Sequence, residues 1–441
     1  MNGNLDAIVV GAGPAGSTVA SLLARAGWNI ALVERSRFPR RKVCGECIAA
    51  SNLPLIQALG VGARFEQEAG PHLRKVALMR GSQTVLADLP AASDAGRPWG
   101  RALGRETLDA LLLGAARSSG ASILQPWSVT AIDGAPGNLC CTVVDQERKR
   151  TLRLCARLVI AAHGSWERLP AEREASGRIR RPGDLFAFKA NFLGANLEPG
   201  LLPVLCLRGG YGGMVLGDGG VATLACCVRR DRLEQLRSAA PGQSAGEVVE
   251  RALRSECLGV DQALQNARRD GAWLSSGPLA PGIRMQPGES ILRVGNAAGE
   301  AHPIVGEGIS MALQSAWLLS AHLMELRSRA VDWPGANFAA RFARLQADYG
   351  RDWRRQFKAR MRVAAGFAHV VMQPPGAGAL LAGLALWPRA LTHGARWSGK
   401  VRYLRLRQMN TPMPMATATP STSNSTLRTS CETDSIAAPK E

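Results

Sequence analysis

The chain of 441 residues is short of several things, and each shortage removes a class of protein. It has no apolar run of the ~20 residues that a membrane-crossing helix needs, and the nearest, "GALLAGLALW", falls well short. The N-terminus shows neither a basic leader nor a small-residue cleavage pattern ahead of the apolar "AIVVGAG", so it does not read as secreted. Ten cysteines are too sparse for a disulfide scaffold and fall mostly as singles in apolar runs such as "VLCLR" and "LACCV". Buried reduced thiols sit in such runs, and a cytoplasmic location is expected. There is no second ligand pair to complete a zinc site with the one C-x-x-C, so no metal is expected. Internal repeats are missing, and so are nucleic-acid recognition motifs.

Acidic side chains are also scarce, 35 against 54 basic ones, which leaves a formal charge of +19. Much of the excess is arginine between Arg341 and Arg407, a stretch that reads as helical and is interrupted by "QPPGAG". Clustered arginines attract phosphate surfaces. Together with "GALLAGLALW" and "ARWSGKVRYLRLR" they suggest peripheral contact with an anionic membrane, and the plainer expectation is a solvated helical face. From "NTPMPMATATPSTSNS" onward the Thr, Ser and Pro content predicts a disordered tail.

What is present begins with "DAIVVGAGPAGSTVASLLARAGWNIALVER", which reads as strand, glycine turn, helix, strand. Gly11, Gly13 and Gly16 form G-x-G-x-x-G between strand and helix, with Pro14 and Ala15 opening the helix. The first glycine permits the turn, the second lets a pyrophosphate approach the backbone, and the third lets helix and strand pack closely. Glu34 ends the second strand, where a carboxylate can bond an adenosine ribose, and Arg35 follows it. A carboxylate there disfavours a 2′-phosphate, leaving NAD or FAD as the resident dinucleotide.

Further along, "GRETLDALLLGAARSSG" predicts a helix, and "SILQPWSVTAI", "LCCTVVD" and "ARLVIAAHG" predict strands. "LFAFKANF", "LLPVLCL", "YGGMVL" and "VATLACCV" predict an antiparallel sheet, the last two joined as a hairpin through "GDGG". "SILRVGNAAGEAHPIVGEGISMAL" returns to strand, glycine loop and helix, with backbone amides near Gly306 and Gly308 facing an anion or an electron-rich ring edge.

With "VVGAGPAGS…VER", "FPRRKVCGE", "GRETLDALLLGAA" and "GNAAGEAHPIVGEGIS" in this order, the chain resembles a large FAD-dependent family. That family holds aromatic-ring hydroxylases, geranylgeranyl reductases and flavin-dependent halogenases on the p-hydroxybenzoate-hydroxylase-like fold. The resemblance implies an α/β fold: a Rossmann-like FAD-binding domain (1–75, 100–180 and 275–325) with a mostly antiparallel substrate domain (76–99 and 181–274). A basic helical C-terminal region (326–408) and the tail (409–441) would follow. It implies FAD as cofactor, with Arg105 at its phosphates and Gly295 and Asn296 at its ribitol chain, where Asn296 replaces the usual aspartate. Pro303, Gly306, Gly308 and Ile309 would lie against the flavin ring, with His302 beside them.

The "KVCGE" stretch matches the K-x-C-G loop of the geranylgeranyl-reductase branch, which places Lys42, Cys44 and Gly45 beside the flavin. A thioredoxin-like dithiol is disfavoured because that motif opens a helix in a different unit. Cys44 as a thiolate, Glu46 as an acid and His302 are the candidates for chemistry. His163 stands where ring hydroxylases that accept hydride from NADPH usually carry aspartate. Electrons would then come from NADH or NADPH, or from an external flavin reductase. The W-x-W-x-I-P signature of the halogenases is missing.

Three functions follow as expectations. The first is a monooxygenase acting through a flavin hydroperoxide on an apolar aromatic, polyketide or isoprenoid molecule. The second is a geranylgeranyl-reductase-like reductase of carbon–carbon double bonds, and the third a membrane-recruited flavoprotein binding module. Substitution Gly13→Glu should abolish FAD retention in a protein that still folds, read by flavin absorbance after gel filtration; a folded, FAD-replete variant overturns the dinucleotide assignment.

Overall fold

The computed structural model describes residues 5–93, 96–165, 167, 169, 180–328, 337–401 and 404. The expected tail, and most of "VRYLRLR", lie outside the described residues.

The chain opens with β1 (Leu5–Val10), α1 (Pro14–Arg25) and β2 (Ile30–Val33). Next come β3 (Lys75–Arg80), β4 (Gln83–Asp88) and α2 (Arg105–Ser118), then β5 (Ser122–Leu124), β6 (Trp127–Ala135), β7 (Asn138–Asp145) and β8 (Thr151–Ala161). After the undescribed stretch follow β9 (Leu185–Leu193), β10 (Leu201–Leu207), β11 (Gly210–Leu216) and β12 (Ala222–Arg229). α3 (Ala245–Glu256), β13 (Arg268–Ser276) and β14 (Leu292–Arg293) lead into four helices. These are α4 (Gly308–Ser328), α5 (Phe338–Met372), α6 (Pro374–Leu386) and α7 (Arg389–Ser398).

One sheet runs in the order β5-β2-β1-β8-β7-β6, with β14 also paired to β8. Its central strands β5, β2, β1, β8 and β14 are parallel, and β6 to β8 form an antiparallel meander. The unbroken apolar run of β1 is explained by cover on both faces. Val9, Leu32 and Ile160 pack with α1, α4 and the first half of α5, while Ile8, Val33 and Val159 pack against Cys141 and Val143.

The second sheet runs β13-β9-β12-β11-β10-β3-β4. It is antiparallel except where β10 lies parallel to β3, and the hairpin expected through "GDGG" is β11–β12. α3 starts in a capping box: the Ser244 N–H donates to Glu247 at 2.9 Å and the Glu247 N–H returns to the Ser244 hydroxyl. From there Val249 and Leu253 cover one face of this sheet, against Phe188, Phe192 and Leu224. The other face, with Ala187, Tyr211 and Cys227, meets Ala368 and Val371 of α5 and Leu381 and Leu384 of α6.

α5 joins the two sheets. Its 35 residues span about 50 Å. Phe338, Phe342, Leu345, Tyr349, Trp353 and Phe357 recur every three or four residues, a single apolar stripe that packs on the first sheet. The stripe continues through Ala368 and Val371 onto the second. Arg344, Arg351, Arg355, Lys358 and Arg362 are exposed, so much of the basic charge on this helix is a solvated face. α6 leaves α5 at 107°, and among the described residues no single helix is long and apolar enough to cross a membrane.

The expectation of solitary reduced cysteines needs one correction. Cys140 on β7 and Cys155 on β8 are direct cross-strand neighbours and are joined by a disulfide. The two lie 15 positions apart in sequence, and only the hairpin register brings them opposite. Cys44, Cys47, Cys141, Cys206, Cys226, Cys227 and Cys257 are free thiols.

Candidate active site

The first half of the site is the turn between β1 and α1. Gly11 has φ +102°, and a Cβ there would stand 2.7 Å from the Ala162 carbonyl oxygen at the end of β8. At Gly16 a Cβ would lie 1.8 Å from the Gly11 carbonyl oxygen, so this glycine sets how closely α1 seats on its own turn. Gly13 differs: a Cβ would meet only the Arg105 Nη2, at 3.7 Å. It therefore leaves clear space in front of a guanidinium, as an approaching pyrophosphate requires. Just beyond β2, the buried Glu34 carboxylate accepts the Ala12 N–H at 2.8 Å and the Ser36 N–H at 2.9 Å, which ties the strand end to the turn.

Cations gather in front of this turn. Arg105, the first residue of α2, donates twice to Asp109 one helical turn on, at 2.7 and 2.6 Å. Burial pulls its guanidinium down, but Asp109 outweighs that and holds it above its ordinary value. Arg40 reaches Glu34 at 3.6 Å and Asp109 at 3.7 Å. Its Nε is buried with no acceptor among the described residues. Burial first, then Arg40 and Arg105, push Lys42 down to about 8. Two arginines, one with an unanswered donor, facing a glycine that clears space, fit the phosphates of a dinucleotide.

The second half lies beyond β14. Asn296 donates its amide N–H to the Ser165 hydroxyl at 2.7 Å, and Ser165 donates to Glu300 at 2.7 Å. This leaves the Asn296 amide oxygen as an acceptor, which accounts for an amide at a place where a hydroxyl-bearing chain needs hydrogen-bond acceptance. The loop Pro303–Val305 ends at Gly306 with φ +63°, and α4 starts at Gly308. Buried Glu307 sits between Arg360 of α5 at 3.8 Å and Lys400 at 3.7 Å. Burial raises the Glu307 carboxyl, an effect the two cations oppose.

"KVCGE" connects these halves to the second sheet. Cys47–Ile48 pairs antiparallel with Arg101–Ala102, just ahead of α2. Glu46 takes a left-handed backbone, φ +56°. Its carboxylate accepts the Arg105 N–H at 2.8 Å, the Thr223 hydroxyl at 2.5 Å and the Lys189 ammonium. Lys189, on β9, is only 2% exposed. Donors from three elements point at the two Glu46 oxygens. Named from sequence as a candidate acid, Glu46 is placed here as the tether of the loop.

One cavity of about 500 Å³ runs through all of this. Gly11, Gly13, Pro14, Ala15, Glu34, Lys42, Cys44, Gly45 and Arg105 line it, as do Gly295, Asn296, Pro303, Gly306, Gly308 and Ile309. Three residues named from sequence do not. Gly16 is buried within the first turn of α1, Arg35 points outward to Glu167 at 3.0 Å, and His302 lies behind the lining. His302 instead meets the Tyr211 hydroxyl through Nδ1 at 3.3 Å, and burial lowers its ring below the usual histidine range. Beyond the flavin loop the cavity becomes an apolar chamber walled by Leu202, Val204, Tyr211 and Met214 of the second sheet and by Phe367, Leu384 and Leu391 of α5 to α7.

Sequence reasoning missed Lys189, Tyr211, Thr223, Glu307 and Lys400. A signal existed for one of them: Lys189 is the single charge in the otherwise apolar "LFAFKANF", a pattern that calls for a buried partner.

Comparison with known proteins agrees with this geometry. The family described as the FAD binding domain matches residues 4–333. The chain is similar to the menaquinone reductase of Mycobacterium tuberculosis, 27% identical over 75% of this chain and 78% of the other. Among solved structures, the flavin-dependent halogenase CmlS superposes with a TM-score of 0.68 at 20% identity, covering 83% of this chain and 66% of that one. A geranylgeranyl bacteriochlorophyll reductase-like protein from Thermoplasma acidophilum gives 0.63 at 16% identity, covering 89% and 99%. At these identities the two structures establish the fold.

Two outcomes are expected. Lys189→Met leaves Glu46 buried without its cation and should cost about 3–5 kcal/mol in urea unfolding; adding Glu46→Gln should recover much of that, and an unaffected single variant means the pair is not the tether. An anionic cofactor favours charged Lys42, whereas the free site releases that proton as pH rises through about 8. Binding above that pH then requires proton uptake, so FAD affinity should fall by roughly tenfold per lost charge-assisted contact. Fluorescence titration of FAD on either side of that pH checks it, with Lys42→Met expected to flatten the dependence.

Proposed function

Because the chain belongs to the FAD binding domain family, we propose that it is an FAD-dependent oxidoreductase that reduces a carbon–carbon double bond of an apolar isoprenoid- or polyketide-like molecule. Arg40, Lys42 and Arg105 would hold the phosphates, Glu34 the ribose and Asn296 the ribitol chain. The loop Pro303–Gly306 and the start of α4 would support the ring. FAD would supply the electron pair, and this chain's residues would exclude water, orient the substrate and deliver a proton.

The observation that carries the reading is the Tyr211–His302 pair. The Tyr211 hydroxyl is held against the His302 ring at 3.3 Å on a phenol that is 2% exposed. It lines the chamber next to the flavin loop, where adding hydrogen across a double bond needs a donor. The free Cys44 thiol lines the same junction. The similarity to a menaquinone reductase supports an apolar substrate and a reduction.

Monooxygenation is the second reading, favoured by a different observation. Glu34, Glu46, Glu167 and Glu300, the carboxylates that line the cavity, are each paired with a lysine or arginine. A dry chamber whose acids are all engaged suits chemistry left to the cofactor. Oxygen uptake separates the two. With flavin reduced by dithionite and a panel of prenylated quinones and polyenes, reduction should proceed anaerobically, and Tyr211→Phe should lower kcat by roughly a hundredfold while flavin absorbance is unchanged. Product that forms only with stoichiometric oxygen, at a rate Tyr211→Phe does not alter, overturns the reductase reading and leaves the oxygenase.

A further inference from the structure

α6 and α7 have an outer side that nothing among the described residues covers. α6, "PPGAGALLAGLAL", contains no charged or hydrogen-bonding side chain on any face. A helix apolar all round is ordinarily buried, yet only Ala377, Leu381 and Leu384 of α6 are buried here. At its end Leu386 is 89% exposed and Trp387 58%, and Trp397 at the end of α7 is 74% exposed. Single exposed apolar residues are unremarkable, but large ones gathered on two consecutive helices mark a contact surface.

The charge carried by these two helices is of one sign. Arg389 and Arg396 are exposed on α7. Between Asp352 and Glu432 the chain has no aspartate or glutamate at all. A second copy of the chain docking here about a two-fold axis would set these arginines against their own counterparts. An anionic lipid surface answers both features. Tryptophan and leucine enter the boundary between headgroups and acyl chains, while arginine lies on the phosphates.

The inner side of the same helices adds a second observation. Leu380 and Leu384 of α6 and Leu391 and Ala395 of α7 line the apolar chamber. The two helices are thus one layer thick between the chamber and the uncovered face.

We infer that α6 and α7 dock this protein on an anionic membrane surface through Leu386, Trp387, Trp397, Arg389 and Arg396. The chamber then opens its thinnest wall toward the bilayer, where an apolar substrate is dissolved. This surface stands apart from the reaction assigned above, and vesicle binding is read without turnover, so failure of either assignment leaves the other standing.

The test is co-sedimentation of the full-length, FAD-loaded protein with vesicles of phosphatidylcholine alone and of phosphatidylcholine mixed with phosphatidylglycerol. Binding is expected to the mixed vesicles only, with a blue shift in tryptophan emission. The variant Leu386→Ser/Trp387→Ser/Trp397→Ser should bind at least roughly tenfold more weakly, and Arg389→Gln/Arg396→Gln should lose a similar factor. All five side chains lie outside the cavity lining, so flavin absorbance and melting temperature serve as folding controls. Wild-type protein left in the supernatant overturns the proposal, as does binding that the triple variant retains, which would assign it to net charge alone. Light scattering that shows a dimer dissolved by the triple variant would overturn it too, by giving the face to a second copy.

Discussion

The Glu46 carboxylate is the joint on which the two sheets meet. Through one side chain it holds the first turn of α2, the ammonium of Lys189 on β9 and the hydroxyl of Thr223 on β12. Each donor comes from a different element, so the angle between the dinucleotide turn and the second sheet is set by hydrogen-bond geometry as well as by apolar packing. A buried ion pair is weak evidence for stability, because desolvation offsets most of the Coulomb attraction. Its value here is directional. Apolar surfaces can slide on one another, whereas a lysine buried under a sheet has one acceptable place for its charge.

The cofactor half was the more legible part of the sequence. The glycine turn, Glu34 and the loop ahead of α4 announce themselves because a backbone that must approach phosphate tolerates few residues, and those few recur at set spacing. Four strands of the second sheet, β9 to β12, were legible as strands, and the β11–β12 hairpin was legible from its turn. What escaped was pairing at long range. Glu46 and Lys189 are 143 residues apart, and nothing local to either names the other. Cys140 and Cys155 escaped for the same reason at shorter range, since register is a property of the folded meander. The tethering role of Glu46 escaped because sequence shows a carboxylate but not the donors that occupy it.

The C-terminal helices were read from sequence mainly through their charge, and the structure divides that charge by location. On α5 the arginines ride opposite an apolar stripe that runs over both sheets, which makes the helix a strut. On α6 the charge disappears, and the inner side of the following helices becomes the chamber's wall. Arg360 is the exception on α5. It turns inward to Gln314 at 3.1 Å and faces Glu307, beside the flavin loop.

Lys400 reaches the same spot from the far end of the described chain. Its ammonium lies 3.6 Å from the Cys47 sulfur, 353 residues earlier, and the Ser51 N–H donates to its carbonyl. The wall of the site is therefore closed by almost the last described segment laid against almost the first. During synthesis the glycine turn, β1 and β2 leave the ribosome long before residues 389–400 exist, so the nascent site stays open on the side those residues later cover. Closing so large a loop is slow compared with forming local helices and hairpins. The pocket is complete only once residues 389–400 have come back to the glycine turn, which makes its assembly a late event of folding.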